Sequence, residues 1–448
     1  METRPNPIDE VPPARTLIAV GLQHVLVMYA GAIAVPLIVG GALKLPKEQL
    51  AFLIDADLFA AGIATLLQSA GVWKIGIRLP VVMGVTFAAV GPMLAMVAAH
   101  VGLPEMYGSI IAAGAFGFVI APVFGRLLRF FPPLVTGSII ATIGLTLLQV
   151  GIDWAGGGFG AKDFGAPVNL GLAGIVLAAI LILTRWATGF VANIAVLLGL
   201  IIGFIAAIPL GLVSFAGLDT APWIGAVLPF RFGLPVFELN SVVSFCIVMI
   251  VVLVESTGVF LALGETCGRP VTPETLVRGL RADGLGAMIG GIFNTFPYTT
   301  FSQNAGLVTM TGVRSRWVVA TSGLILIVLG LVPKLATIVA SMPQAVLGGA
   351  GIAMFGMVTA AGIKILQRVN FEGRSNLLIV AISIGIGMTP VVAPNLFDLW
   401  PGWTGPLTHS GITLCAVCAV ALNALFNGAT DTPAVERELA AAASEAVG

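Results

Sequence analysis

Apolar runs of about 20 residues, the length a helix needs to cross the hydrocarbon of a bilayer, recur along the whole chain between short polar breaks. They lie near 16–40, 50–71, 80–100, 108–130, 132–151, 168–185, 190–213, 240–264, 283–296, 297–313, 317–340, 343–366, 375–392 and 410–427. Two of these fourteen segments, the third and the tenth, do not read as plain helices. Each opens on a proline (Pro80, Pro297), passes through β-branched residues (Val81, Val82, Val85, Thr86; Thr299, Thr300) and only then turns to helix formers. Proline lacks an N–H and breaks a helix, and β-branched residues favour extended backbone. Extended backbone at membrane depth survives only when buried in protein or lining a cavity. The two stretches are therefore expected to pair with each other and to present helix N-termini to a shared pocket. The pattern predicts an all-α polytopic membrane protein with short extended strands in segments 3 and 10.

Composition agrees. The chain is 58% hydrophobic and 9% charged, against roughly 25% charged in soluble domains, and its mean hydropathy of +1.05 leaves too few polar residues to coat a soluble globule. With 21 basic and 21 acidic residues there is no basic stripe to neutralise phosphates, which excludes nucleic acid as a partner. Glycine, 56 of 448 residues, suits close helix approach in a bundle. Cys415 and Cys418 sit one helical turn apart in an apolar run and read as buried thiols, with no metal site expected. The polar stretch 1–14 lacks a cleavage site of small residues, so the N-terminus is expected to be retained. No P-loop, HExxH or GxSxG is present, so neither an enzyme nor ATP-driven transport is expected from this chain.

Placing the N-terminus in the cytoplasm puts 16 of the 21 Lys and Arg residues on the inner side; Lys44, Lys47, Lys162, Arg231 and Lys334 make up the outer 5. That asymmetry supports the span count and two cytoplasmic tails, 1–14 and 428–448. The chain also repeats. Leu79–Phe87 resembles Phe296–Asn304 at an offset of 217, and Pro132 and Gly137 match Pro343 and Gly348 at an offset of 211. Seven spans per repeat is odd, so the second half is expected to insert inverted: residues 15–214 form one repeat, 240–427 the other, and 215–239 a periplasmic connection. Inverted repeats with broken elements near the midplane are the architecture of many secondary transporters.

A charge in the middle of a bilayer costs roughly 2.5–3.5 kcal/mol, so intramembrane polar residues mark candidate function. Glu255, in Val-Val-Leu-Val-Glu-Ser-Thr-Gly, stands near the centre of the eighth span with almost no central Lys or Arg to pair it. Asp283 opens the ninth, either as a helix N-cap or as a carrier. Gln303 and Asn304 follow the extended stretch of the tenth and offer donors and acceptors together, which suits a polar heterocycle. His24, beside Gln23 in the first span, reads as a packing residue or a ligand contact; Asp55 and Asp57 read as packing or a solvated mouth. His100 and His409 fall in outer loops. Secondary transport is the remaining reading, with Glu255 or Asp283 carrying a proton or cation and no cofactor. One charge moved through 100 mV is worth about 2.3 kcal/mol, roughly 50-fold accumulation.

The run Gln303-Asn304-Ala305-Gly306-Leu307-Val308-Thr309-Met310-Thr311-Gly312 resembles the signature of the nucleobase–ascorbate transporter family: Gln/Glu/Pro, Asn, any, Gly, four of any kind, Thr, then Arg/Lys/Gly. Gln23-His24, Glu255-Ser256 and Ala282-Asp283-Gly284 match family positions too, and the likeness spans essentially the whole chain. The resemblance implies fourteen segments in two inverted sevens, a core domain (segments 1–4 and 8–11), a gate domain (5–7 and 12–14), and proton-coupled nucleobase symport in the inner membrane, often by a homodimer. Carried over by position, it implies that Glu255 binds ring N–H groups of a purine and Gln303 its polar edge. Asn304 supports that site, with Thr86 and backbone near Phe87 and Ser302 completing it. Asp283 serves proton coupling and His24 orders the core. Gln303 with Gly312, and Phe296–Ser302, resemble the bacterial xanthine and uric acid branch. Val259 and Thr86 depart from the residues of xanthine-selective members, an acid and an Asn, and tilt the expectation towards urate. A uracil or other nucleobase symporter, an anion transporter of related fold and a non-transporting sensor are the alternatives; Glu255 argues against the anion reading and the short tails against the sensor.

Overall fold

The computed structural model describes residues 7–429 together with 435, 437 and 441; Arg4 and most of the expected C-terminal tail lie outside the described residues. The apolar runs form α1 (Ala14–Ala42), α2 (Lys47–Ser69), β1 (Met83–Val85), α3 (Val90–Ala98), α4 (Leu103–Leu127), α5 (Pro133–Ala155), α6 (Pro167–Trp186), α7 (Phe190–Asn193) and α8 (Ala195–Ala207). An irregular connection leads to α9 (Leu239–Thr266), α10 (Pro273–Ile292), β2 (Tyr298–Thr300), α11 (Ser302–Thr311), α12 (Arg316–Leu329) and α13 (Pro333–Val339). The chain continues through α14 (Gln344–Leu366), α15 (Arg374–Val392), α16 (Gly405–Thr408) and α17 (Gly411–Phe426). Proline in the first turn starts α4, α5, α6, α10 and α13, where its missing N–H costs nothing.

Among the described residues, eight helices are long and apolar enough to cross a membrane, or ten if each of two sharply bent pairs counts as one span. The helices pack as two groups. One gathers α1, α2, α4, α9, α10 and α12 around the strands; the other gathers α5, α6, α8, α14, α15 and α17. Glycine allows the closest crossings. A Cβ at Gly62 of α2 would lie 2.5 Å from the carbonyl oxygen of Gly323 on α12, and one at Gly284 of α10 would lie 2.7 Å from that of Gly114 on α4. Helices without a hydrophobic drive between them associate by such close packing.

Three sequence expectations shift. The ninth segment, expected over 283–296, is α10 and begins at Pro273; charged Glu274, Arg278 and Arg281 extend the helix beyond the apolar window used to find it. Its N-cap is Thr272, in a reciprocal capping box with Thr275, so Asp283 is a mid-helix residue and the N-cap alternative falls. The run 317–340 is not one helix but α12 and α13 bent by 85°, because Pro333 cannot donate to the preceding turn. The seventh segment ends at Ala207 and is interrupted at Ile194.

Gly62→Val should lower the melting temperature of the purified protein, since Val would overlap the backbone of α12 and overpacking costs about 1–3 kcal/mol. Gly171→Ala, inside α6 with open space around it, should not lower the melting temperature, since Ala is the better helix former. Thermal unfolding followed by size-exclusion chromatography reads both.

Candidate functional site

The two extended stretches pair as expected. β1 and β2 run antiparallel with Met83 opposite Thr300, Gly84 opposite Thr299 and Val85 opposite Tyr298. The ladder is prolonged by Thr86 N–H donating to Pro297 O (2.9 Å) and Phe301 N–H donating to Val82 O (3.0 Å). All six strand residues are buried, so each polar backbone group left outside the ladder needs a partner. Hydroxyls supply two: Met83 N–H donates to Thr65 Oγ1 of α2 (2.9 Å), and Thr300 N–H donates to Ser256 Oγ of α9 (3.3 Å). Gly84 is required here, because a Cβ would collide with the Phe301 ring.

Short helices leave the crossing at both strand ends. Thr86 caps the first, its hydroxyl accepting from Ala88 N–H at 3.2 Å. The second, α11, starts after Phe301, which provides no side-chain cap. Asn304 N–H donates to Phe301 O at 3.2 Å, and the N–H groups of Ser302 and Gln303 before it, with the helix dipole, form an open site for a hydrogen-bond acceptor. Gln303 is exposed, its amide oxygen accepting from Ser302 Oγ at 3.4 Å. Asn304 is turned inward and fully buried, its amide donating to the His24 carbonyl (2.8 Å) and lying 3.1 Å from His24 Nδ1. His24 thus ties α1 to α11 behind the open turn.

Glu255 stands on α9 beside β2, with Thr299 Oγ1 donating to its Oε2 at 3.5 Å. Thr299 Oγ1 lies 3.3 Å from Ser256 Oγ, so adjacent residues of α9 grip adjacent residues of β2. Glu255 also lines a cavity of about 10 Å³ with Phe131, Thr136, Ile139, Ile140, Val251 and Val254, room for about one water. Thr136, Ile139 and Ile140 belong to α5 of the other helix group, so the carboxylate faces the boundary between the groups. Phe87 reaches the same boundary, its ring edge-to-face with Phe355 of α14 at 5.8 Å. The strand crossing therefore carries Thr86 and Phe87 after β1, Ser302 and Gln303 after β2 and Glu255 beside β2, while His24 packs on Asn304 and Asp283 on Gln68.

Asp283 is fully buried on α10. Its Oδ1 accepts from Gln68 Nε2 at 2.9 Å, and Oδ2 has no hydrogen-bond partner. Gln68 is committed on every side: Nε2 also donates to Gly279 O (3.1 Å), and Oε1 accepts from Ile77 N–H (2.9 Å). Sequence reasoning missed Gln68; its one signal is an amide near the end of an apolar helix. It also missed the anchor of β2, where Asp57 Oδ1 accepts from Thr295 Oγ1 (2.9 Å) and lies 3.0 Å from the Tyr298 hydroxyl. Of the two readings of Asp57, packing is the observed one.

Comparisons with known proteins fit this arrangement. The chain is 53% identical over 424 residues to the uric acid transporter UacT of Escherichia coli K12, covering 94% of this chain and 88% of that one. It is 46% identical to the xanthine permease of Bacillus subtilis 168, over 94% and 96% of the two chains. Among solved structures, the transmembrane domain of the cyanobacterial bicarbonate transporter BicA shares the fold with a TM-score of 0.63 at 18% identity, over 89% of this chain and 99% of that one. Murine SLC26A9, an anion transporter in the inward-facing state, gives a TM-score of 0.62 at 13% identity, over 93% and 69%. Residues 15–396 match the Xan_ur_permease family, described as a permease family. The chain is a multi-pass membrane permease and belongs to that family.

Proposed function

We propose that this permease takes up uric acid, xanthine or both across the bacterial inner membrane, coupled to protons, by alternating access. The observation that carries the reading is the strand crossing: Glu255 stands beside β2 and faces the boundary between two helix groups, and an exposed amide and an uncapped helix start follow at the end of the same strand. An oxidised purine presents ring N–H donors and carbonyl acceptors on one flat apolar body. Glu255 accepts from ring N–H, Gln303 supplies the complementary amide, the α11 N–H groups meet a carbonyl, and Phe87 covers the ring. The purine names of the relatives support the same substrate class.

A cavity with room for one water beside Glu255 cannot hold a purine, so entry requires the groups to part there. In this proposal the group carrying Glu255 and the strands moves as a core past the other group as a gate. Asp283, held by Gln68 and with a free carboxylate oxygen, carries the coupled proton. Among the described residues, eight long spans, two bent pairs, the two strand-plus-helix segments, α7 with α8, and α10 add to fourteen. Two inverted sevens are supported by the register: at the offset of 217, Met83 is the repeat equivalent of Thr300, and the two pair directly. A two-fold axis relating the halves then passes through that pair. Both termini are placed in the cytoplasm, and a homodimer is the expected assembly.

The fold likeness to anion transporters and the open start of α11 favour a second reading, anion transport. Glu255 offers an acceptor that the ring N–H groups of a purine can use and that an inorganic anion without such donors cannot, which places anion transport second.

Uptake of labelled urate and xanthine into expressing cells should fall sharply with a protonophore. Glu255→Gln should reduce it by roughly 10–100-fold, the worth of a hydrogen bond to a charged group. Labelled bicarbonate uptake without purine uptake would overturn the reading. Thr299→Val should raise the KM for urate more than it lowers the maximal rate if the hydroxyl orients Glu255, a split measured by initial rates. Gln68→Leu should flatten the dependence of uptake on external pH while leaving urate binding measurable, if Gln68 holds Asp283 in place.

A further inference from the structure

Four arginines converge where α2 and α9 end and α10 and α12 begin. Arg316 Nη1 donates to Ala70 O (2.6 Å) and Ser69 O (3.3 Å), closing the last turn of α2. Arg278 Nη2 donates to Trp73 O at 3.1 Å. Arg78 lies across Gly71, where a Cβ would sit 2.6 Å from its side chain. Arg269 lies 3.8 Å from Asp9, which also pairs with Arg316 at 2.6 Å. Among the described residues Asp9 is the one carboxylate paired with any of the four. The chain around it is strapped down, with Ile8 buried, Arg316 N–H donating to Ile8 O and Ser315 Oγ donating to Glu10 O.

One carboxylate against four guanidinium groups leaves a surplus of three positive charges, from which water is partly excluded. Arg78 Nε and Arg278 Nε are buried without a hydrogen-bond partner, and Arg269 Nη1 has only its 3.8 Å ion pair with Asp9, which is costly for charged donors. Burial, and then the charges of Arg278, Arg316 and Arg269, work against the charge on Arg78, with Asp9 partly offsetting them. Beside the cluster the turn Val72–Ile75 projects outward, with Val72 58% and Trp73 78% exposed and Lys74 Nζ 5.8 Å from the Trp73 ring. Tryptophan with lysine at the ends of membrane spans is the composition of the headgroup layer.

We propose that this end of the protein binds the headgroup of an anionic phospholipid, its phosphodiester seated among Arg78, Arg269 and Arg278 and Trp73 set in the interface beside it. Guanidinium N–H pairs match phosphate oxygens bidentately, and Arg78, Arg269 and Arg278 are each only half-buried, which leaves part of each side chain open to a headgroup. The tryptophan favours a lipid over a free anion, since inorganic phosphate has no use for an apolar anchor. The site lies away from the strand crossing and does not depend on which solute is carried.

The test is native mass spectrometry of the purified full-length protein, delipidated and then titrated with phosphatidylglycerol or phosphatidylethanolamine. The first should be retained preferentially, and Arg78→Gln, whose side chain makes no hydrogen bond that another element relies on, should weaken it by roughly fivefold. Arg78→Lys, which keeps the charge but not the fork, should fall between the two, and Trp73→Ala should weaken retention without changing headgroup preference. Equal retention of both lipids, or of phosphatidylglycerol by wild type and Arg78→Gln, overturns the proposal. Inorganic phosphate raising the melting temperature as much as phosphatidylglycerol does would make it a free-anion site and overturn the lipid assignment.

Discussion

Backbone N–H and C=O groups that leave a helix at membrane depth must find partners inside the protein, and this constraint organises the molecule. Two stretches leave the helical state, and each satisfies the other through the β1–β2 ladder. The groups that the ladder leaves over are taken by Thr65 and Ser256, and Asp57 fixes the tyrosine at the start of β2. Helices α2 and α9 are thereby bound to the strands through polar contacts, while glycine crossings bind α2 to α12 and α4 to α10.

The same arrangement creates the site. A strand that stops inside the protein leaves a helix start there, and a helix start is a set of N–H groups seeking acceptors. Because Phe301 offers no cap, those donors stay open to a solute. Glu255 comes to the same place because Thr299 and Ser256 lock α9 against β2. Neighbours differ in what they touch: Ser256 holds the strand and Glu255 faces the boundary, while Asn304 holds α1 and Gln303 stays exposed. The second helix group contributes Phe355 and one wall of the cavity, so the locus is completed at the boundary between the groups.

Much of this was legible in the chain because a bilayer enforces simple rules. Span positions followed from apolar runs, and the paired strands from proline beside β-branched residues. Glu255 stood out as a candidate because of the cost of a charge without a partner. The errors have a common cause. Hydropathy locates the part of a helix that lies in hydrocarbon and is blind to the turns beyond it, which is why α10 begins ten residues earlier than expected and Asp283 is not a cap. It also cannot see that Pro333 turns a long apolar run by 85°.

Class, strand pairing and the candidate carboxylate are properties of local composition and spacing, and residues close in sequence suffice to reveal them. Gln68 with Asp283, Asp57 with Tyr298, Asn304 with His24, and Arg269 and Arg316 with Asp9 join residues between 215 and 307 positions apart. Nothing in the local pattern distinguishes these partners from other polar residues on apolar helices. Their pairing was decided by helix packing, since a buried polar group takes whichever partner the packed helices bring within hydrogen-bond reach.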